Sequence, residues 1–285
     1  MWISCRVRSD SHTLNEAALR LLTLPESEIR ISEVSEREFL LSVHGVESAP
    51  EAAQVLHVHY VIRTFLLAMN VATVGMFYWA QDPWVHPVLQ VSSDFGAPAH
   101  SARALVARPD TVVGGLKELD AVEVQNAAII FGALARDRSD SLEAEYSKGL
   151  LLLRMRFFDV DFRREAFLCF YRALESFVAT RILRVKKFKN DLKDLERGIG
   201  QLGASQELLE ELQSIYTTRS SQVAHAQVTP RDITLEEVMK TKTFLDFVMH
   251  KTFKAQGVEA MKARRVNRVR KASEPDASDK TAQGA

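Results

Sequence analysis

Apolar positions along the chain change their period three times, and the changes mark its organisation. WISCRVR (2–8) and REFLLSVHG (37–45) alternate apolar and polar residues and end in turn residues, so both are predicted as strands, with a weaker short strand at EIRIS (28–32). Between Glu51 and Met69 the spacing lengthens: Val55, Val58, Ile62, Leu66 and Met69 recur every three or four residues, the period of a helix. GMFYWA (75–80) and HPVLQVSSD (86–94) return to strand composition, separated by the turn-prone QDPW, and FGAPAHSARA (95–104) reads as an irregular surface segment.

From about Asp120 the pattern is helical throughout. AVEVQNAAIIFGALA and SLEAEYSKGLLLLRMRFF precede the best-patterned stretch, FRREAFLCFYRALESFVATRIL, whose Phe167, Phe170, Leu174, Phe177, Val178 and Ile182 form one apolar stripe. RVKKFKNDLKD then leads to a glycine-marked break, GIGQLGAS. Ser205 is placed as N-cap of QELLEELQSIYTTRSSQVAHAQ, Pro230 closes that unit, and Thr234 with Glu237 forms a capping box for the last helix. The fold class expected is α+β: a mixed α/β region over 1–119, an all-α bundle over 120–256, and a basic tail over 257–285 that lacks core-forming residues and is expected to be disordered.

Composition changes this picture in one respect. The 285 residues carry 37 Lys/Arg and 37 Asp/Glu, a formal charge of zero, but residues 1–150 hold 12 basic against 19 acidic groups and residues 151–285 hold 25 against 18. An acidic half is joined to a basic one, an asymmetry that points to an anionic partner. Cys5 and Cys169 are too few for a disulfide framework or a four-cysteine zinc site, which fits a reducing, cytoplasmic compartment. MWISCRVRSD has no secretory signal pattern. The uncharged run Thr64–Gln81 is broken by Asn70 and Gly75 and reads as a buried helix turning into a core strand, so no membrane association is expected.

Familiar phosphate-loop, dinucleotide, zinc-protease and serine-hydrolase motifs are absent. His57 and His59 would diverge on a helix and are read as packing or surface residues; no metal or cofactor is called for. Trp79 and Trp84 near His86 read as core aromatics. IYTTRSSQVAH (215–225) carries the strongest chemical signal. Leu208, Leu212, Ile215 and Tyr216 mark the buried side of its helix, and Arg219, seven residues after Leu212, points toward that side and needs an anion there. Glu175, the one acid between Ala166 and Asn190, is the internal partner expected; an ion pair holding two helices would satisfy the same pattern.

The helices FYRALESFVATR and LQSIYTTRSSQVAH, separated by a polar insert and followed by one more helix, resemble the HEPN superfamily, especially its Apea-like branch, over about Asp120 to Phe253. Residues 1–119 carry no such resemblance. It implies a helical bundle that pairs as a homodimer and, in many members, a metal-independent endoribonuclease acting as a toxin or anti-phage effector, with an antitoxin or sensor as a further partner. The family's Arg, polar residue and His fall on Arg219, Ser220 and His225, and its acidic position on Glu175. Five residues separate Arg219 from His225 where four are usual in the branch, and Ala226 stands where a glycine is common. On an unbroken α-helix the two would lie about 120° apart, so convergence requires a local distortion or a dimer interface.

In the chemistry implied, His225 acts as base on a ribose 2′-OH or as acid toward the leaving oxygen, Arg219 holds the scissile phosphate, Glu175 orients Arg219, and Ser220 donates to a phosphate oxygen. Products would be a 2′,3′-cyclic phosphate and a 5′-hydroxyl. Arg181, Arg184, Lys186, Lys187 and Lys189, in an acid-free run, and six Lys/Arg between Lys262 and Lys271 would attract RNA through its phosphates. The alternative function is a catalytically inactive module of the same type that binds RNA, nucleotide or protein.

Overall fold

The structure, a computed structural model of the chain, describes residues 2–24, 27–44, 50–79, 88–91, 101–104, 116–136, 140–157, 160–223 and 232–273. It is α+β, with antiparallel strands first and mostly helices afterwards. The N-terminal elements are β1 (Trp2–Ser9), β2 (His12–Thr13), α1 (Glu16–Leu19), β3 (Ile29–Ser32), β4 (Glu38–His44), α2 (Glu51–Thr73), β5 (Phe77–Trp79), β6 (Val88–Val91), β7 (Ser101–Ala104) and β8 (Lys117–Glu118). One sheet has the order β3-β4-β1-β5; Val7 of β1 lies opposite Phe39 of β4 and also opposite Trp79 of β5. The predicted alternation sets its two faces: Val7, Phe39, Leu41 and Val43 are buried, and Phe39 meets Phe65 of α2 edge to face at 6.3 Å.

α2 explains the uncharged run. It has the length and apolarity to cross a membrane, but 67% of that window is buried inside the protein. Asn70, fully buried, donates to the Leu66 and Phe77 carbonyls at 2.8 and 2.7 Å and accepts from the Phe77 N–H at 3.0 Å, so its amide binds β5 as a neighbouring strand would. The chain reverses through Val74, in the left-handed region (φ 49°), and Gly75, where an added Cβ would meet the Ser11 hydroxyl at 2.8 Å. Asn70→Leu strands both Phe77 backbone groups and is expected to cost about 2 kcal/mol in chemical denaturation. Of the helix positions predicted here, Val58, Ile62, Leu66 and Met69 are buried, while Val55 is exposed beside Leu56.

The helical part comprises α3 (Ala121–Arg136), α4 (Asp140–Arg154), a short hairpin of β9 (Arg156–Phe157) and β10 (Val160–Asp161), α5 (Arg163–Phe177), α6 (Asp191–Gly200), α7 (Gln206–Thr218) and α8 (Leu235–Ser273). π-helical turns follow α5 (Val178–Ile182) and α7 (Arg219–Val223). The predicted caps form: Ser205 accepts from the Leu208 N–H at 3.4 Å, Glu237 N–H donates to Thr234 Oγ1 at 3.2 Å, and Thr234 N–H donates to Glu237 at 2.9 Å.

Four expectations need correction. The last four residues of FGAPAHSARA form β7, because pairing with β6, Val88 opposite Ala104, supplies hydrogen bonds that an isolated pattern does not reveal. The helix expected through Phe158 ends at Arg154 and gives way to β9. The glycine-marked break starts later than expected, because α6 (Asp191–Gly200), capped by Asn190, which accepts from Lys193 N–H at 3.0 Å, runs through Gly198. Its Gly198 is a packing residue: a Cβ there would lie 2.3 Å from Val178 Cγ1. Finally, α8 does not stop at Gly257 but continues to Ser273, because its Ala-, Lys- and Arg-rich sequence favours helix.

The expected boundary at 119/120 divides elements that share one hydrophobic core running from Val7 to Phe253. Polar ties cross it as well. Lys242 of α8 donates to Asp246 and to the Gly75 carbonyl, each at 2.5 Å, and Tyr146 of α4 donates to Asp246 at 2.6 Å. Arg154 pairs with Asp10 and lies 3.8 Å over the Tyr78 ring. His12, fully enclosed, approaches Glu123 of α3 at 3.7 Å while its Nδ1 lies 2.8 Å from the Ser11 hydroxyl.

Candidate functional site

The apolar stripe of α5 faces the core, with Phe167, Phe170, Leu174, Phe177 and Val178 buried. At its edge Tyr171 and Glu175, four residues apart, share a side of the helix. Tyr171 is 1% exposed, and among the described residues its hydroxyl meets no partner in full hydrogen-bond geometry. It nevertheless lies close enough to Glu175 for each to perturb the other. Burial and then the Glu175 charge push the phenol up; burial pushes the Glu175 carboxyl up, against the pull of Arg219 and with the help of Asp191.

Arg219 approaches from the end of α7, where the backbone changes character. Thr217 and Thr218 donate their hydroxyls to the carbonyls of Gln213 and Ser214, and Ser220 and Ser221 both donate to the Thr217 carbonyl at 3.2 and 2.6 Å. A run of hydroxyls bonding back to the helix competes with its regular ladder. The π turn opens at Arg219 itself. His225 and Pro230 lie outside the described residues, as do Trp84 and His86.

Arg219 is seated rather than free. Its guanidinium carbon is 5.5 Å from the centroid of the Tyr171 ring, and Nη2 is 3.9 Å from Asp191 at the start of α6. Asp191, not Glu175, is the carboxylate within ion-pair distance, because α6 folds against the end of α5 and delivers its first residue beside Arg219. Side-chain exposures of 27% for Arg219 and 44% for Asp191 make this pair solvent-screened, worth about 0–1 kcal/mol, so an incoming anion can replace the carboxylate at little cost. Ser220 spends its proton on the Thr217 carbonyl and does not extend the site in this arrangement.

The basic run leaves the same end of α5. Val185 N–H donates to the Ala179 carbonyl at 2.8 Å, and Arg184 takes the left-handed φ of 53° that glycine usually supplies at a helix end. Arg184, Lys186, Lys187 and Lys189 are exposed, Arg181 is half-buried, and Phe188 packs on the core to anchor the loop. Lys189 is two residues before Asp191, so the cationic loop borders the Arg219 cluster directly.

Tyr171 and Asp191 are the residues that sequence reasoning missed. Tyr171 had a usable signal, its four-residue spacing from Glu175; Asp191 had none, since only the packing of α6 brings it to Arg219. His57 and His59 lie on α2, where His59 stacks on Trp79 at 5.2 Å. Among the described residues no group of three His, Cys, Asp or Glu is placed to hold a metal ion. Burial pushes both free thiols, Cys5 and Cys169, up to about 11, which leaves neither an activated nucleophile. A cavity of about 410 Å³ between Asn15, Leu21, Leu119 and Ala121 is lined by none of the candidate residues. Comparison with family models, with curated proteins and with solved structures finds no match to this chain.

Proposed function

We propose that the protein is a metal-independent endoribonuclease of HEPN type, serving as a toxin or antiviral defence effector, in which Arg219 holds the scissile phosphate and His225 moves the protons. The observation that supports this reading is the seat of Arg219. It opens a π turn, rests on the face of Tyr171, faces a replaceable carboxylate, and stands beside a loop of exposed cations. A guanidinium held this way is pre-aimed for a phosphate and gives up only a weak pair to bind it. Tyr171 and Glu175 position it, and the half-buried Glu175 adds negative charge that keeps Arg219 from swinging away. A second copy of the chain, paired through the helices, would complete the cleft.

Purified protein is expected to cut RNA and spare DNA, leaving 2′,3′-cyclic phosphate and 5′-hydroxyl ends, with no effect of EDTA. Arg219→Ala should lower the cleavage rate by roughly 10²–10³-fold, and His225→Ala by a comparable factor. Cleavage undiminished in His225→Ala, or abolished by EDTA, would refute the scheme. The stacked and paired state of Arg219 also suits a second reading, a non-catalytic binding module in which Arg219 ties α5, α6 and α7. RNA binding with intact RNA at every enzyme concentration selects that reading.

A further inference from the structure

The two basic segments, more than seventy residues apart in sequence, leave two packed helices at the same end. Tyr146 contacts Phe170 of α5 at 5.5 Å between ring centres and donates to Asp246 of α8; seven residues further along both helices, Phe177 meets Phe253 at 5.7 Å. α5 and α8 therefore run side by side in the same direction. Where α5 gives way to its π turn and the cationic loop, α8 runs on as helix to Ser273, about 30 Å beyond Phe253. That extension carries Lys262, Arg264, Arg265, Arg268, Arg270 and Lys271, with no acid after Glu259.

We infer that the loop of Arg184, Lys186, Lys187 and Lys189 and the C-terminal reach of α8 form one docking surface for a duplex segment of RNA. This surface would hold a structured RNA so that an adjoining single strand enters beside Arg219. The choice of RNA rests on the ribonuclease reading above; the choice of a duplex rests on the surface itself. At 100° per residue the six basic positions leave no arc of the helix wider than about 100° without a cation. Positions spread round a rod match a groove with a row of phosphates on either wall, whereas a helix lying in a lipid surface presents one continuous apolar face to it. Between Lys262 and Lys271 there is no aromatic residue, and Phe188 in the loop packs on the core, so neither segment offers a platform for unpaired bases.

The test is binding by full-length protein carrying Arg219→Ala, which removes cleavage from the measurement, to a hairpin RNA and to a single strand of the same length. Substituting Arg264, Arg265, Arg268 and Arg270 by Gln, or Lys186, Lys187 and Lys189 by Gln, should weaken hairpin binding roughly tenfold or more near 150 mM salt. Each substitution set should also flatten the plot of log affinity against log salt by about 0.9 for every phosphate no longer neutralised, while single-strand affinity changes little. Circular dichroism of each variant should match the parent, since Gln sustains helix about as well as Arg. Unchanged hairpin affinity and salt slope in either variant would overturn the proposal. So would tighter binding to duplex DNA than to the hairpin, or displacement of the hairpin by phosphatidylserine vesicles. Hairpin binding that follows the expected pattern in a protein whose unsubstituted form cuts no RNA would instead retire the ribonuclease reading and leave the docking surface standing.

Discussion

Asp246→Ala is expected to lower the free energy of unfolding by about 3–5 kcal/mol, the cost of leaving a buried charge without its partner. Lys242 is 1% exposed, and its ammonium donates to Asp246 and the Gly75 carbonyl; Tyr146, also enclosed, donates to the same carboxylate. Removing the carboxylate strands a cation and a phenol at once. The pair itself is not a source of net stability, because both partners are desolvated: burial drives Lys242 below its ordinary value and lifts Asp246 to about 6. A joint Lys242→Met, Asp246→Leu replacement should therefore recover most or all of the loss in urea denaturation, and recovery is the outcome that distinguishes a stranded charge from simple loss of packing.

The same carboxylate imposes a pH dependence. Between its unfolded value near 3.8 and about 6, the folded protein holds a proton at Asp246 that the unfolded chain has released. The contribution of this residue is full below that window and declines as pH rises through it. Asp246→Asn, which cannot titrate, should remove this part of the slope when stability is measured from pH 4 to 7.

Phe170→Ala is expected to cost about 3–5 kcal/mol. Its ring is fully buried, contacts Tyr146, and occupies space that α4 leaves open only by having glycine at 149: a Cβ there would lie 2.8 Å from the Phe170 ring. The two positions are therefore complementary. Gly149→Ala alone should cost about 1–3 kcal/mol through overpacking, and pairing it with Phe170→Leu should cost less than the sum of the two single changes. Strict additivity would show that the helices readjust independently. Since Tyr171 and Glu175 follow Phe170 on α5, a loosened α4–α5 packing should also blur the seat of Arg219.

Several elements were legible because their signal is local. The alternation in β1 and β4, the period of α2 from Val58 onward, the stripe of α5, the Ser205 cap and the Thr234–Glu237 box all depend on residues within a turn or two of one another. Others were not, because their partners are remote. β7 exists through β6; Gly198 sits inside α6 because Val178 crosses it, though glycine in isolation reads as a break; and α8 runs past Gly257 on a sequence rich in Ala, Lys and Arg that favours helix. At the site, Arg219 and Glu175 stood out as a charged pair in apolar settings. Tyr171 was readable only by its four-residue spacing from Glu175, and Asp191 entered only through the packing of α6 against the edge of α5.

By itself the chain's order of residues determined the α+β class, the helical second half, the buried course of α2 and the sign of charge in each half, since periodicity, capping and composition are properties of neighbouring residues. Only the tertiary structure decided that both halves share one core, that a Lys–Asp pair is sealed inside it, that Asp191 rather than Glu175 faces Arg219, and that two distant basic segments leave from the same end of α5. Those outcomes depend on which helix faces cross and how close they come. Ring sizes, a missing Cβ and the direction of helix packing set these distances, and none of them is written in the spacing along a single segment.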